Sequence, residues 1–141
     1  MNKTTCIYNL LKSLVLPCKC RCRDNLLKQN NYNPWIDKED LIPGHDWELE
    51  IDKAIKECNF FIACLSSNSV TKEGYFQREL KRGLDFFDRK PEGSIYLIPV
   101  RLDDCIIPHR FQKLHWCDFF SEKYDEKLLR AINTGINLNR L

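Results

Sequence analysis

The sequence predicts an α/β fold in which helices cover a mostly parallel sheet. Three observations carry this. Apolar runs of strand length alternate along the chain with amphipathic segments of helix length, the mark of strand–helix–strand units. Two of the strand candidates, 59–65 and 94–102, are apolar nearly throughout, as strands covered on both faces are. The chain has 141 residues, 43% apolar and 30% charged, which is one domain of ordinary globular composition with enough mass to bury a core.

The elements follow in order. Ile7, Leu10, Leu11 and Leu14 recur at helical spacing, so the N-terminus reads as a helix, with Leu14-Val15-Leu16 at most a very short strand that Pro17 ends. Asp24–Gln29 reads as the end of a helix. Tyr32–Ile36 is a short strand, and Pro34, which lacks a backbone donor, places it at the sheet edge. Asp46 caps a helix whose first turn carries Glu48 and Glu50, while Trp47, Ile51, Ala54, Ile55 and Cys58 form its apolar face. Asn59–Leu65 is a buried strand, ended by the loop chemistry of Ser66-Ser67-Asn68-Ser69. A helix over 74–88 aligns Phe76, Leu80, Leu84 and Phe87. Pro91-Glu92-Gly93 turns the chain into the strand Ser94–Leu102, which Pro99 places near an edge. Leu114–Phe120 is a last short strand and Tyr124–Ile132 a last helix.

Bulk properties exclude some functions. A net charge of +2 gives no reason to expect nucleic acid or an anionic membrane as partner. No apolar run nears the roughly 20 residues that span a bilayer, and Cys6–Leu16, broken by Asn9 and Lys12, is a poor signal-peptide core. Cytoplasm is the expected compartment. Of the eight cysteines, Cys58, Cys64, Cys105 and Cys117 fall singly in apolar stretches, as small buried hydrophobes do. Cys18, Cys20 and Cys22 alternate with Lys19 and Arg21, but zinc spacing with a second paired half is missing. Reduced thiols and no metal are expected.

No P-loop, dinucleotide fingerprint, nucleophile elbow or zincin motif occurs, and His45, His109 and His115 have no nucleophile at motif spacing. The fold then directs attention to the carboxyl ends of the strands, where open parallel sheets bind ligands. That edge holds Asp37, Ser66 and the helix start at Gly74–Glu79. Glu79 lies beside Phe76 and Gly83 at the border of the apolar stripe, and Gly83 leaves room one turn on. The alternative is a solvated Glu79 among Arg78, Lys81 and Arg82. Glu73 is the more exposed competitor. Asp103-Asp104 is an acidic pair that either binds a cation or is solvated. Trp35 and Trp47 bracket an acidic loop broken by Pro43-Gly44, and pack on the core or present a contact surface.

Asn33-Pro34-Trp35-Ile36-Asp37 with Leu41-Ile42-Pro43-Gly44 and Trp47 resembles the second strand and following loop of a Toll/interleukin-1 receptor (TIR) domain of the bacterial type. Phe60–Ser66 resembles the family's third strand with its terminal serine. Gly74-Tyr75-Phe76-Gln77-Arg78-Glu79-Leu80 resembles its aromatic-x-x-x-Glu helix start, and Ile95–Leu102 and Leu114–Phe120 its last two strands. The likeness spans about residues 24–132, so 24–141 is taken as the TIR-like domain and 1–23 as an atypical N-terminal segment.

The resemblance implies a flavodoxin-like three-layer fold. It implies homotypic TIR–TIR association through the loop at Asp37–Trp47, with Asp40, Leu41, Pro43, Gly44 and Trp47 as contact residues and a homo-oligomer as the product. In many members it also implies cleavage of NAD+ at the nicotinamide–ribose bond, with NAD+ as substrate and no cofactor. The family's catalytic glutamate falls on Glu79, and Trp35, Asp37, Ser66 and Tyr75 fall at the substrate. The alternative is a non-catalytic TIR adaptor. In the family the first strand ends in an aromatic or Ser-Tyr segment that helps form the nucleotide pocket. Nothing before residue 24 reads as such a segment, so the first strand is expected to be missing or degenerate.

Overall fold

A computed structural model describes residues 3–8, 26–35, 42–70 and 75–139. Five strands form one sheet in the order β2-β1-β3-β4-β5, and every pairing is parallel. The strands are β1 (Lys3–Tyr8), β2 (Tyr32–Trp35), β3 (Phe60–Leu65), β4 (Leu97–Arg101) and β5 (Cys117–Asp118). The helices are α1 (Trp47–Glu57), a single turn α2 (Ser67–Val70), α3 (Tyr75–Asp88) and α4 (Tyr124–Asn139). Residues 26–29 are also helical, and a 3₁₀ turn spans His109–Phe111.

The first strand is the main correction to the sequence reading. A helix was expected over Ile7–Leu14 and a first strand that is missing or degenerate, yet Lys3–Tyr8 is extended and lies inside the sheet. Thr5 is level with both Pro34 and Phe60, and Cys6 with both Trp35 and Phe61. Lys-Thr-Thr-Cys-Ile-Tyr is rich in β-branched and aromatic residues, which suit a pleated surface. The helical spacing that begins at Ile7 starts inside this strand and continues past its end, and the rest of that pattern lies outside the described residues. The order 2-1-3-4-5 is the flavodoxin-like doubly wound arrangement.

β3 divides the core in two. Its six residues are all buried and alternate between faces, as a strand covered on both sides must. Phe61, Ala63 and Leu65 meet Ile51 and Ile55 of α1 and the partly buried Leu84 and Phe87 of α3. Phe60, Ile62 and Cys64 meet Leu27 and the α4 residues Tyr124, Leu128 and Ile132. Glycines set the close approach on each side. A Cβ at Gly83 would stand 2.8 Å from the Phe61 ring, and one at Gly135 would stand 2.5 Å from the Phe60 ring. The space at Gly83, expected beside Glu79, is therefore filled by Phe61.

Other expectations meet their physical reasons directly. The Asp46 carboxylate accepts from Glu48 N at 3.1 Å and Leu49 N at 3.2 Å, capping α1. Asn31 takes a left-handed conformation (φ 63°) at the end of the 26–29 helix, a common asparagine stop signal. β2 is an edge strand, as Pro34 requires. On either side of β4, Tyr96 O accepts from Phe61 N and Leu102 N donates to Leu65 O. Even-numbered residues of β4 thus bond to β3, and the Pro99 nitrogen faces the β5 side, where pairing starts only at Val100.

Several elements differ in extent, among them the strand expected over Ser94–Leu102, which spans Leu97–Arg101. The strand expected over Leu114–Phe120 pairs only at Cys117–Asp118, and α4 runs on to Asn139 instead of ending at Ile132. Ser67–Val70 forms a helical turn where a loop was expected, because the Asp103 carboxylate accepts from Ser67 N (3.0 Å) and Ser67 Oγ (3.0 Å). Cys58, Cys64, Cys105 and Cys117 are buried and not in disulfides. Among the described residues no helix is long and apolar enough to cross a membrane.

Candidate functional site

Because all strands run parallel, their carboxyl ends share one edge, which is where open α/β sheets place ligands. Tyr8 ends β1 and Trp35 ends β2 at that edge, and Ser66, 6% exposed, follows β3. α3 runs back from the same edge, since its Gly83 lies on Phe61 near the start of β3. Its first turn, Tyr75 to Glu79, therefore stands at the carboxyl edge. Glu79 lies one turn before Gly83, about 6 Å along the axis and on the same side of the helix. The backbone thus brings the positions of Trp35, Ser66, Tyr75 and Glu79 to one end of the sheet. Asp37 lies outside the described residues.

The flanking arginines of α3 lean toward α1. Arg82 meets Asp52 at 3.1 Å, and the exposed Arg78 meets Glu48 at 3.9 Å.

The loop between β2 and α1 ends in a defined turn. His45 N donates to Ile42 O at 3.0 Å, with Pro43 and Gly44 between them. Gly44 has φ +92°, so the turn is type II, with proline at the second place and glycine at the third. A Cβ on Gly44 would touch nothing within 4 Å, so the need for glycine there is conformational and not steric. Pro43 and Gly44 are exposed, and the preceding Ile42 is 60% exposed. Trp47 is the first residue of α1. Asp40 and Leu41 lie outside the described residues.

A polar cluster missing from the sequence reading sits at the β4–β5 end of the same edge. Arg101 Nε donates to Asp118 Oδ1 at 2.6 Å, and Arg101 Nη1 donates to Asp104 Oδ1 at 3.0 Å and Cys105 O at 3.1 Å. Its guanidinium also faces the rings of Trp116 (5.7 Å) and Phe120 (5.6 Å). The hydrogen bond from Arg101 holds the Asp118 carboxyl below the usual carboxylate range, and the same bond raises Arg101. Burial pushes the Cys105 and Cys117 thiols up. The signal in the sequence was a lone cation at the end of an apolar strand, which must find acids when half-buried.

This cluster also resolves the Asp103-Asp104 pair. Asp103 binds Ser67 and Asp104 binds Arg101, so the two carboxylates serve different partners and do not converge on a cation. Among the described residues no three His, Cys, Asp or Glu side chains gather as a metal set. Cys18, Cys20 and Cys22 lie outside them. A cavity of about 630 Å³ opens at the opposite, amino edge of the sheet beside Cys58, Lys90 and Tyr96. There the Tyr96 hydroxyl donates to Ile55 O at 2.9 Å, closing the end of α1, which is a structural task.

A family model described as the TIR domain matches residues 23–132. The chain belongs to the TIR-domain family. Among solved structures, the TIR domain of the Toll-related receptor TRR-2 from Hydra magnipapillata is similar, with a TM-score of 0.68 at 18% identity. That likeness covers 94% of this chain and 99% of the Hydra chain. The TIR domains in the activated Roq1 resistosome, which recognises the pathogen effector XopQ, are similar with a TM-score of 0.57 at 18% identity. They cover 73% of this chain, which spans 58% of theirs. No curated protein matches significantly. At such identity the structural likeness establishes the TIR fold, and the family match establishes a TIR signalling module.

Proposed function

We propose that this TIR domain hydrolyses NAD+ at the nicotinamide–ribose bond, with Glu79 as the catalytic carboxylate, and that it acts in signalling or defence by associating with other TIR domains. The observation that carries the reading is the central position of β1. It supplies the strand between β2 and β3, so the edge at which Trp35, Ser66, Tyr75 and Glu79 are positioned is continuous. Tyr8 closes β1 where the family's first strand carries an aromatic residue.

The chemistry asks little of the protein beyond one carboxylate. Nicotinamide leaves a cationic pyridinium as a neutral molecule, so the leaving group needs no general acid. A carboxylate beside the ribose accepts hydrogen bonds from its hydroxyls and stabilises the positive charge that develops at the anomeric carbon. Tyr8, Trp35 and Tyr75 are aromatic positions at that edge, and Asp37 follows Trp35 by two residues.

The test is nicotinamide release by purified protein. Wild-type chain releases nicotinamide from NAD+, and Glu79→Gln, with the same fold by circular dichroism, lowers the rate by about 10² or more. Folded wild-type protein that releases none at high concentration sinks the enzyme reading.

The exposed type II turn favours association as a second function of the same chain. Ile42, Pro43 and Gly44 present an apolar tip with a fixed shape, and fixed shape lowers the ordering cost of binding. Concentration-dependent assembly is expected, and Pro43→His or Gly44→Arg disrupts it. Sedimentation unchanged by those variants argues against the turn as a contact. An adaptor without activity assembles normally and releases no nicotinamide.

A further inference from the structure

β5 pairs with only the last two residues of β4, so the amino half of β4 borders open space. A groove of about 440 Å³ lies there, between α3 and α4 and away from the edge that holds Glu79. Its body is apolar: Phe87 from α3, Leu97 and Ile98 from β4, Leu114 and Trp116 from the segment before β5, and Ala131 from α4. Its charged lining is of one sign. Lys127 and Arg130 line it from α4, and no acidic residue does. Lys113 adds a third cation nearby, 5.5 Å from the Phe87 ring. Neither Lys127 nor Arg130 is in an ion pair among the described residues. Lys127 does act on Asp118, but that carboxylate already takes its hydrogen bond from Arg101.

We propose that this groove binds a small apolar anion: a molecule with a hydrocarbon or aromatic body and one carboxylate or sulfonate, of the size of a medium-chain fatty acid. The volume lies in the range of small-ligand sites, and such sites pair an apolar body with a few polar groups that fix orientation. Charge decides the class. A neutral apolar ligand leaves the two lysine and arginine heads unused, and a cation is repelled by them. A peptide strand is the weaker occupant. Pro99 offers no donor on the open side of β4, which leaves Leu97 as the donor between it and residue 95.

The site is independent of the NAD+ reading and is tested separately, with anilinonaphthalene sulfonate and decanoate as probes. Folded wild-type protein is expected to bind the fluorescent sulfonate saturably, to release it when decanoate is added, and to show a change in tryptophan emission, since Trp116 lines the groove. Lys127→Glu with Arg130→Glu changes two exposed heads, leaves the melting temperature near wild type, and weakens both probes by about tenfold or more. Ala131→Trp fills the groove and removes the binding. The proposal is overturned if folded wild-type protein binds neither probe saturably, if the charge-reversed and filled variants bind as wild type does, or if an acidic extended peptide binds there and decanoate does not.

Discussion

The Arg101–Asp118 pair shows how one residue holds an element that hydrogen bonds alone barely define. β5 is two residues long, and the 2.6 Å bond from the guanidinium to Asp118 ties it to the end of β4. Arg101 is 17% exposed in its side chain, so removing the acid leaves a half-buried cation with less compensation. Asp118→Asn is expected to lower stability by about 1–3 kcal/mol at neutral pH, measured by urea denaturation. The sign with pH follows from the direction of the shift. The folded carboxyl ionises below its ordinary value, so the unfolded chain binds more protons between the two values and stability rises with pH there. The contribution is complete above the unfolded pKa of about 3.9 and is lost as pH falls through the lower, folded value. The gap between wild type and variant must therefore close in strong acid; a gap of equal size at neutral and strongly acidic pH would show that the charge is not its source.

At the scale of elements, the helices are held at fixed distances from the sheet by two glycines. Phe60 and Phe61 are adjacent in β3 and point to opposite faces, and each ring occupies the space that a helix leaves by having no side chain. Alanine favours a helix over glycine by about 1 kcal/mol, yet overpacking a core costs about 1–3 kcal/mol. Steric cost wins at both sites, so Gly83→Ala and Gly135→Ala each lower the melting temperature. Gly135→Ala has the larger effect, since its Cβ would also stand 3.1 Å from the Ile95 Cβ. Pairing Gly83→Ala with Phe61→Leu recovers part of the loss in a double-mutant cycle; additive losses would place the strain elsewhere.

These same elements show which parts of the fold could be read in advance. β3 was legible because burial on both faces demands an unbroken apolar run, and α1 because Asp46 and its apolar face are local signals. β1 was not, because six residues with Thr4, Thr5 and Cys6 carry little hydropathy, and their burial follows from neighbours far along the chain. The edge was legible from the strand–helix alternation, which predicts parallel strands with their carboxyl ends together and a helix starting there, and motifs assign the candidate positions Trp35, Ser66 and Glu79 to it. Arg101 and the β4 groove depend on how β5 falls short of β4, which no local pattern encodes.

For the whole molecule, the decisive fact is that the strand nearest the N-terminus is the middle of the sheet's first half. Among the described residues β2 pairs with β1 alone, and β3 meets β2 through β1. A chain beginning at residue 24 keeps nearly all of the span that identifies the family, 23–132, and still loses this strand. Its β2 becomes a four-residue segment with no ladder, and one side of β3 opens along Phe60 to Ala63. Backbone groups buried there cost roughly 1–3 kcal/mol each when left unpaired, which is comparable in sum to the whole stability of a domain. The prediction is that residues 24–141 alone show no cooperative thermal transition and no nicotinamide release, while the full chain melts cooperatively. Adding a peptide of residues 1–23 in excess restores part of the transition, because binding at the β2–β3 gap stabilises the folded form by mass action. A fragment that melts like the full chain would mean that β1 does not hold the sheet together, and would remove the support that the continuous edge lends to Glu79 as a catalytic carboxylate.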